Sequence, residues 1–274
     1  MLMRAIPRTG EALPAIGLGT WKVFDVAPTP GNLRPLKDVL NVLFAAGGSV
    51  IDSSPMYGRA EAAAGALLAE MKAHDRAFIA TKVWTEGREQ GLAQMRDSLE
   101  LLRAERIDLM QVHNLVDWRT HLATLRAWKA EGLIRYLGIT HYTPSAYAEL
   151  ADIIAREDID FVQLAYSIAT REAENRLLPL CAERQVAVLV NRPFETGGLF
   201  RKLRGRAVPE WATAFGGTHW ATFLLKYILA HPAVTCVIPA TANPTHMREI
   251  VAAGEGRLPS AAERARMIAF VEGL

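Results

Sequence analysis

The chain has 274 residues, half of them hydrophobic, with 31 Lys and Arg against 29 Asp and Glu for a formal net charge of +2. That near-balance excludes the basic face a nucleic-acid binder needs, and no apolar run approaches the roughly 18 residues that span a bilayer. The two cysteines, Cys181 in a helical pattern and Cys236 in an apolar strand, are too few for a disulfide framework and are expected to be buried free thiols in a reducing cytoplasm. Met1-Leu2-Met3-Arg4 shows no apolar core followed by a cleavage site, so no signal peptide is expected. His74, His121, His219 and His231 fall in helices or loops without ligand spacing; they read as surface residues, and no metal centre is expected.

In chain order, residues 5–15 set short apolar pairs among Pro7, Thr9-Gly10-Glu11 and Pro14, which predicts a small hairpin or plug. Ile16-Gly17-Leu18-Gly19-Thr20-Trp21 follows as a first short strand, and its two glycines permit close approach by another backbone or a ligand. Leu36, Val39, Leu40, Leu43 and Phe44 then repeat at helical spacing until Gly47-Gly48 ends the helix. Strands are predicted at 50–54, 77–83, 107–113, 134–140, 161–166, 186–190 and 235–239. Helices near 59–72, 88–104, 120–131, from 144, 172–184 and 218–230 separate them, with a long loop at 194–217 and final helices near 244–253 and 260–272. Alternation of this kind means parallel sheet, and eight units close a (β/α)8 TIM barrel. One domain over residues 1–274 is therefore expected, with a short N-terminal hairpin and an extra C-terminal helix. A doubly wound open sheet would be expected to carry an early G-x-G-x-x-G, which is absent.

Three successive predicted strands end on chemistry-bearing residues. Val50-Ile51-Asp52 closes on an acid, Phe78-Ile79-Ala80-Thr81-Lys82 on a base and Leu109-Met110-Gln111-Val112-His113 on an imidazole, while Tyr57 lies in the turn after the first. In such a barrel the site lies at the carboxyl ends of the strands, so the four side chains converge on one mouth. A free tyrosine, with a pKa near 10, is a weak acid at neutral pH, and a neighbouring lysine cation favours its phenolate. Asp52 would hold Lys82 charged, and His113 would orient a substrate oxygen. Met56, Trp84 and Trp118, in adjacent loops, would wall an apolar pocket together with Trp21.

Gly17-Leu18-Gly19-Thr20-Trp21, the Asp52 to Tyr57-Gly58 stretch, Thr81-Lys82, Val112-His113-Asn114 and Gly138-Ile139-Thr140 resemble, in this order, the aldo-keto reductases. The resemblance implies NAD(P)H-dependent reduction of an aldehyde or ketone, with Tyr57 as general acid, Lys82 and Asp52 tuning it and His113 orienting the carbonyl. It further implies that Gly19, Thr20 and Trp21 approach the cofactor and that Gln163 bonds the nicotinamide carboxamide. Thr140 and His141 stand in place of the family's Ser-Asn pair, and Asn191, followed by Arg192 and Pro193, stands where a tyrosine usually stacks on the ring. At the phosphate end, Asn243-Pro244 is a good cap for a helix whose amino terminus offers N–H groups to an anion. Thr241, Asn243 and Arg248 are expected there, although the family's lysine after Ile-Pro is missing from Ile238-Pro239-Ala240-Thr241; NADP(H) is favoured over NAD(H). The cationic run Arg201-Lys202-Leu203-Arg204-Gly205-Arg206 is placed to fold over a pyrophosphate. The expected partner is a small carbonyl compound, with no nucleic acid or membrane, for a monomer in the cytoplasm. The alternative reading is a catalytically weak nucleotide-binding barrel acting as a redox sensor or regulatory subunit. A Lys82 Schiff base is disfavoured because Asp52 keeps the amine protonated.

Overall fold

The computed structural model describes residues 1–274. A two-stranded antiparallel hairpin, β1 (Met3–Ala5) and β2 (Ala12–Pro14), precedes the main sheet. Its eight strands are β3 (Leu18–Gly19), β4 (Val50–Asp52), β5 (Phe78–Val83), β6 (Ile107–His113), β7 (Ile134–His141), β8 (Phe161–Ala165), β9 (Ala187–Asn191) and β10 (Cys236–Val237). They lie side by side in chain order, every pair parallel. The ring closes where Ile16 bridges Val237 and the Gly19 N–H donates 3.0 Å to the Pro239 carbonyl. Between and after the strands run α1 (Pro30–Ala45), α2 (Ala60–Met71), α3 (Arg88–Leu102), α4 (Trp118–Ala130), α5 (Tyr147–Arg156) and α6 (Leu177–Glu183). They are followed by α7 (Gly198–Lys202), α8 (Trp220–Leu229), α9 (Pro244–Ala252) and α10 (Ala261–Glu272). This is the (β/α)8 barrel, hairpin and extra helix that the alternation predicts. No helix is long and apolar enough to cross a membrane.

Side chains alternate across a strand, so each strand sends every second residue into the barrel. The apolar interior comprises Val50, Phe78, Ala80, Leu109, Tyr136, Phe161, Ala187, Leu189, Cys236 and Ile238, and Ile6 and Leu13 of the hairpin join it. Phe78, Tyr136 and Phe161 fill its width, with neighbouring ring centroids 5.4–6.1 Å apart. Two residues beyond Val50, Ala80, Leu109, Phe161 and Leu189 stand Asp52, Lys82, Gln111, Gln163 and Asn191. The interior thus turns from apolar to polar in one step toward the carboxyl ends. The outward-facing strand residues, such as Ile51, Ile79, Val112 and Val162, pack with the helices in the larger core. Cys181 in α6 and Cys236 in β10 are both buried and unpaired, as expected.

Three expectations need correction. The stretch 194–217 is not a bare loop: it contains α7 and the 3-10 turns Glu195–Gly197 and Glu210–Phe215. Leu199, Leu203, Ala212 and Phe215 are buried there, and Trp211 packs edge-on to Phe215, Phe223 and Phe270, so apolar burial supplies the order that its Gly and Arg content conceals. His121 is fully buried rather than superficial; it is close to the Thr85 carbonyl through Nε2 at 2.7 Å, and Gly91 leaves room for its ring. His74 and His231 are half-buried, and only His219 of the four is exposed.

A Cβ on Gly19 would lie 2.9 Å from the Ile238 carbonyl oxygen, a backbone atom of the closing strand that cannot yield without opening the seam. Gly19→Ala is therefore expected to cost about 1–3 kcal/mol, the usual toll of overpacking. A lowered urea midpoint at unchanged slope would show it.

Candidate active site

Asp52, Lys82 and His113 end adjacent strands and are buried, with 2%, 0% and 5% of their surfaces exposed. The strand β4 stops at Asp52 and gives way to a turn in which the Tyr57 N–H donates to the Ser54 carbonyl, which brings Tyr57 back over the strand ends. The Lys82 ammonium donates to Asp52 Oδ2 at 2.6 Å and to the Ser53 carbonyl at 2.7 Å. An ammonium has three protons. The third is left for Tyr57, whose ring centroid is 5.1 Å from Nζ. The Tyr57 and His113 rings meet edge to face at 5.7 Å, and Trp84 lies 6.5 Å from His113.

Burial raises the Tyr57 phenol above its ordinary range; the Lys82 charge works against this and the Asp52 charge with it. Desolvation of the phenol outweighs the favourable lysine charge that the sequence places beside it. Burial disfavours the Lys82 cation, but the charge of Asp52 and its hydrogen bond to the ammonium work against this, so the amine stays protonated. His113 is pushed down to about 2, by burial first and then by the positive charge of Lys82. It is therefore a neutral ring. Ser54 Oγ accepts from the Met56 N–H at 3.3 Å and lies 2.9 Å from His113 Nδ1. Where Ser54 donates its own proton to Nδ1, the neutral ring carries its proton on Nε2.

Beneath these groups is a buried amide network. Gln163 and Gln111 both donate to Asp52 Oδ1, at 2.8 and 3.1 Å, and Asn191 donates to Gln163 Oε1 at 3.3 Å. The buried Thr20 hydroxyl is 3.0 Å from both the Asp52 carbonyl and Ser53 Oγ. Thr140 is buried beside His113, and His141 is half-buried, with Nδ1 accepting from the Thr143 N–H at 3.2 Å. Arg192, at φ +50°, reaches across to the Tyr142 carbonyl at 3.3 Å, and Pro193 is buried behind it. At α9, Asn243 caps the helix by accepting from the Thr245 N–H at 2.9 Å, and the Asn243 N–H donates to the buried Thr241 hydroxyl at 3.0 Å. Pro244 has no N–H and the cap occupies that of Thr245, so the terminus offers an anion only the His246 N–H, fewer groups than the sequence suggested. Arg248 is exposed and unpaired. Of the cationic run, Lys202 is tied to the Val271 carbonyl at 2.7 Å, while Arg201, Arg204 and Arg206 are exposed.

Trp21, Met56 and Trp84 are 40%, 38% and 41% exposed, on the connections after β3, β4 and β5. The Trp84 backbone is held on both sides by Gln94 of α3. Trp118 opens α4, packs partly on the core and carries the Arg119 guanidinium 4.2 Å over its ring. The sequence reading passed over Ser54 and Gln111. Both were within reach of the two-residue alternation, since Ser54 is two beyond Asp52 and Gln111 two before His113. Tyr142 and Phe200, exposed on the connections after β7 and β9, carried no such signal.

A parallel eight-stranded barrel with a buried acid–lysine pair, a tyrosine and a neutral histidine at its carboxyl mouth defines a class of carbonyl oxidoreductases. The sequence model of the aldo/keto reductase family matches residues 15–267, and the chain belongs to that family. It is 27% identical over 271 residues to methylglyoxal reductase YeaE of Escherichia coli, covering 95% of this chain and 93% of that protein. An NADH-specific methylglyoxal reductase of the same organism is 27% identical over 248 residues, covering 77% of this chain and 74% of that one. The crystal structure of an aldo/keto reductase from Klebsiella pneumoniae, in complex with NADP and acetate, superposes with a TM-score of 0.83 at 25% identity, covering 99% and 96% of the two chains.

The neutral His113 has a consequence for stability. An unfolded histidine takes a proton near pH 6.5, whereas folded His113 refuses one until about pH 2. Between those values the unfolded state binds more protons, so stability falls as pH falls, by about 1.4 kcal/mol per pH unit for this group. Urea midpoints measured from pH 7 to 5 should fall less steeply in His113→Asn than in the wild type.

Proposed function

We propose that residues 1–274 act as one catalytic domain that reduces an aldehyde or ketone with NADPH. The observation that carries this reading is the Lys82 ammonium, 2.6 Å from Asp52 and 5.1 Å from the Tyr57 ring, beside a neutral His113. Several features of the mouth fit a dinucleotide. Asn191 Oδ1 is buried without a partner, Gly19 keeps the backbone beside β10 free of a side chain, and the unpaired Arg248 stands near the single free N–H of α9. Gly19, Thr20, Trp21, Thr140, His141, Gln163, Asn191, Arg192 and Pro193 would surround the nicotinamide half. Thr241, Asn243 and Arg248 would face the 2′-phosphate, which is why NADP(H) is proposed over NAD(H).

When bound, the reduced nucleotide supplies the hydride to the carbonyl carbon. The chain's own residues manage the oxygen. His113 Nε2–H donates to it and fixes its direction, and Tyr57 delivers the proton that completes the alcohol. Tyr57 is protonated at neutral pH because burial raises it, and Lys82 stabilises the phenolate left behind until solvent returns the proton. Asp52 holds the lysine in place and is itself held by Gln111, Gln163 and the closed strand β4.

The substrate carries an apolar body. Of the seven exposed large hydrophobic residues, five (Trp21, Met56, Trp84, Tyr142 and Phe200) lie on connections at the carboxyl ends of the strands. A three-carbon dicarbonyl such as methylglyoxal would leave most of that rim wet.

Nucleotide oxidation against a panel of aldehydes, ketones and diones tests the reaction. Tyr57→Phe is expected to lower kcat by two orders of magnitude or more, on the scale of a lost general acid, while still binding nucleotide. Undiminished turnover in that variant would remove Tyr57 from the mechanism, and nucleotide binding with no turnover on any carbonyl would sink the reductase reading. Along the straight-chain aldehydes from acetaldehyde to octanal, kcat/KM should rise about fourfold per methylene, the value of roughly 0.8 kcal/mol of buried CH2. A flat series, or a preference for methylglyoxal over all of them, would rule out the apolar body.

A further inference from the structure

Tyr57 is carried by a connection that lies on the surface, with Met56, Gly58 and Arg59 exposed on either side of it. A proton donor needs firmer placing than that, since a displacement of about 1 Å can cost a hundredfold in rate. Both ends of the connection are tied to β5, at consecutive residues and on opposite faces of the sheet. On the inner face the Lys82 ammonium donates to the Ser53 carbonyl at 2.7 Å. On the outer face the Thr81 hydroxyl donates to Glu61 Oε1 at 2.5 Å, from the strand to the first turn of α2. Ser53 is four residues before Tyr57 and Glu61 four after it, so the acid sits at the middle of the span. The Arg59 N–H also donates to Asp25 at 3.0 Å, but that bond is exposed, where water readily takes its place.

Glu61 has no part in the chemistry described above, yet it is the kind of group that a core excludes. It is 2% exposed, and both Thr81 and the neighbouring Ser98 of α3 are fully buried. Burial raises its carboxyl above the ordinary range; the hydroxyls of Thr81 and Ser98 and the charge of Lys82 work against this, and that of Asp97 works with it. An apolar residue in the same place would carry no such desolvation cost. What it could not supply is direction. Apolar contact tolerates sliding, whereas a hydrogen bond fixes which strand residue meets which helix residue.

Resting on the reductase reading above, we infer that Glu61 is a positioning residue for Tyr57, and that its bond to Thr81 sets the reach between the phenol and the Lys82 ammonium. Lys82 grips one end of the span and Thr81 the other, so any shift of β5 carries the acid and its cation together. The mouth is then tuned from behind the sheet, by a residue that touches neither substrate nor nucleotide.

Glu61→Leu and Thr81→Val each remove the bond. Each is expected to lower kcat about tenfold, with a nucleotide Kd within about twofold of wild type. Each should also move the basic limb of the kcat–pH profile upward, because a phenol further from Lys82 loses part of the charge that favours its phenolate. Glu61→Gln keeps an oxygen for the Thr81 hydroxyl and should stay within about twofold in kcat, with the limb in place. The double variant Glu61→Leu/Thr81→Val sets two apolar side chains against each other. Its urea midpoint should return toward wild type while kcat stays about tenfold low and the limb stays displaced. Recovery of kcat along with the midpoint would show that the pair only stabilises α2, and would overturn the assignment. Should Glu61→Leu fail to fold, Thr81→Val, which keeps the side-chain shape, decides alone: undiminished kcat there overturns the assignment and leaves the reductase reading standing. Wild-type protein that turns over no carbonyl overturns both.

Discussion

Everything at the mouth depends on the ion pair between Asp52 and Lys82. Two charges taken out of water gain little net stability over a well-packed apolar pair, and removing either partner costs about 3–5 kcal/mol because the other is stranded. A pair of this kind is kept for what it arranges. Here it fixes an ammonium whose third proton is left for Tyr57, supplies the charge that depresses His113, and sets the direction of every amide bond below it. The barrel in turn provides what the pair needs: two adjacent parallel strands with Lys82 two residues beyond Ala80, the partner of Asp52, and enough donors around Asp52 that neither oxygen is left bare.

The change of the interior from apolar to polar ties the fold to the chemistry. Phe78, Tyr136 and Phe161 fill the barrel's width, and Asp52, Lys82 and Gln163 stand on the same inward face only one or two alternations higher. A residue slip in any strand would exchange this face for the outward one and put Thr81 or Val162 where Lys82 or Gln163 now stand. The site is therefore specified by the same register that builds the core.

This explains what the sequence made legible. The strands show as β-branched runs bounded by turn residues, and their number and spacing announce the barrel because each helix repeats the same period. Asp52, Lys82 and His113 are conspicuous because charged or titratable groups ending apolar strands have few bland uses. Hydrogen-bond partners are less visible. Gln163 has a place in the family pattern, but only the folded network shows it turned toward Asp52. His121 looks like an ordinary helix residue until Gly91, thirty positions away, is seen to leave a hole for its ring. The order in 194–217 comes from aromatic residues spread as far as Phe270, a distance over which local periodicity carries no information.

The two cysteines bear on how long such a catalyst would last. Aldehydes and dicarbonyls are electrophiles, and the groups they alkylate most readily in proteins are thiolates. Burial holds the Cys181 thiol up at about 12 and raises that of Cys236 as well, so neither is ionised at neutral pH and neither is reachable from solvent. With no other sulfhydryl in the chain, the protein offers its own reactive substrates no soft nucleophile to consume. It is built to survive the compounds it is proposed to remove.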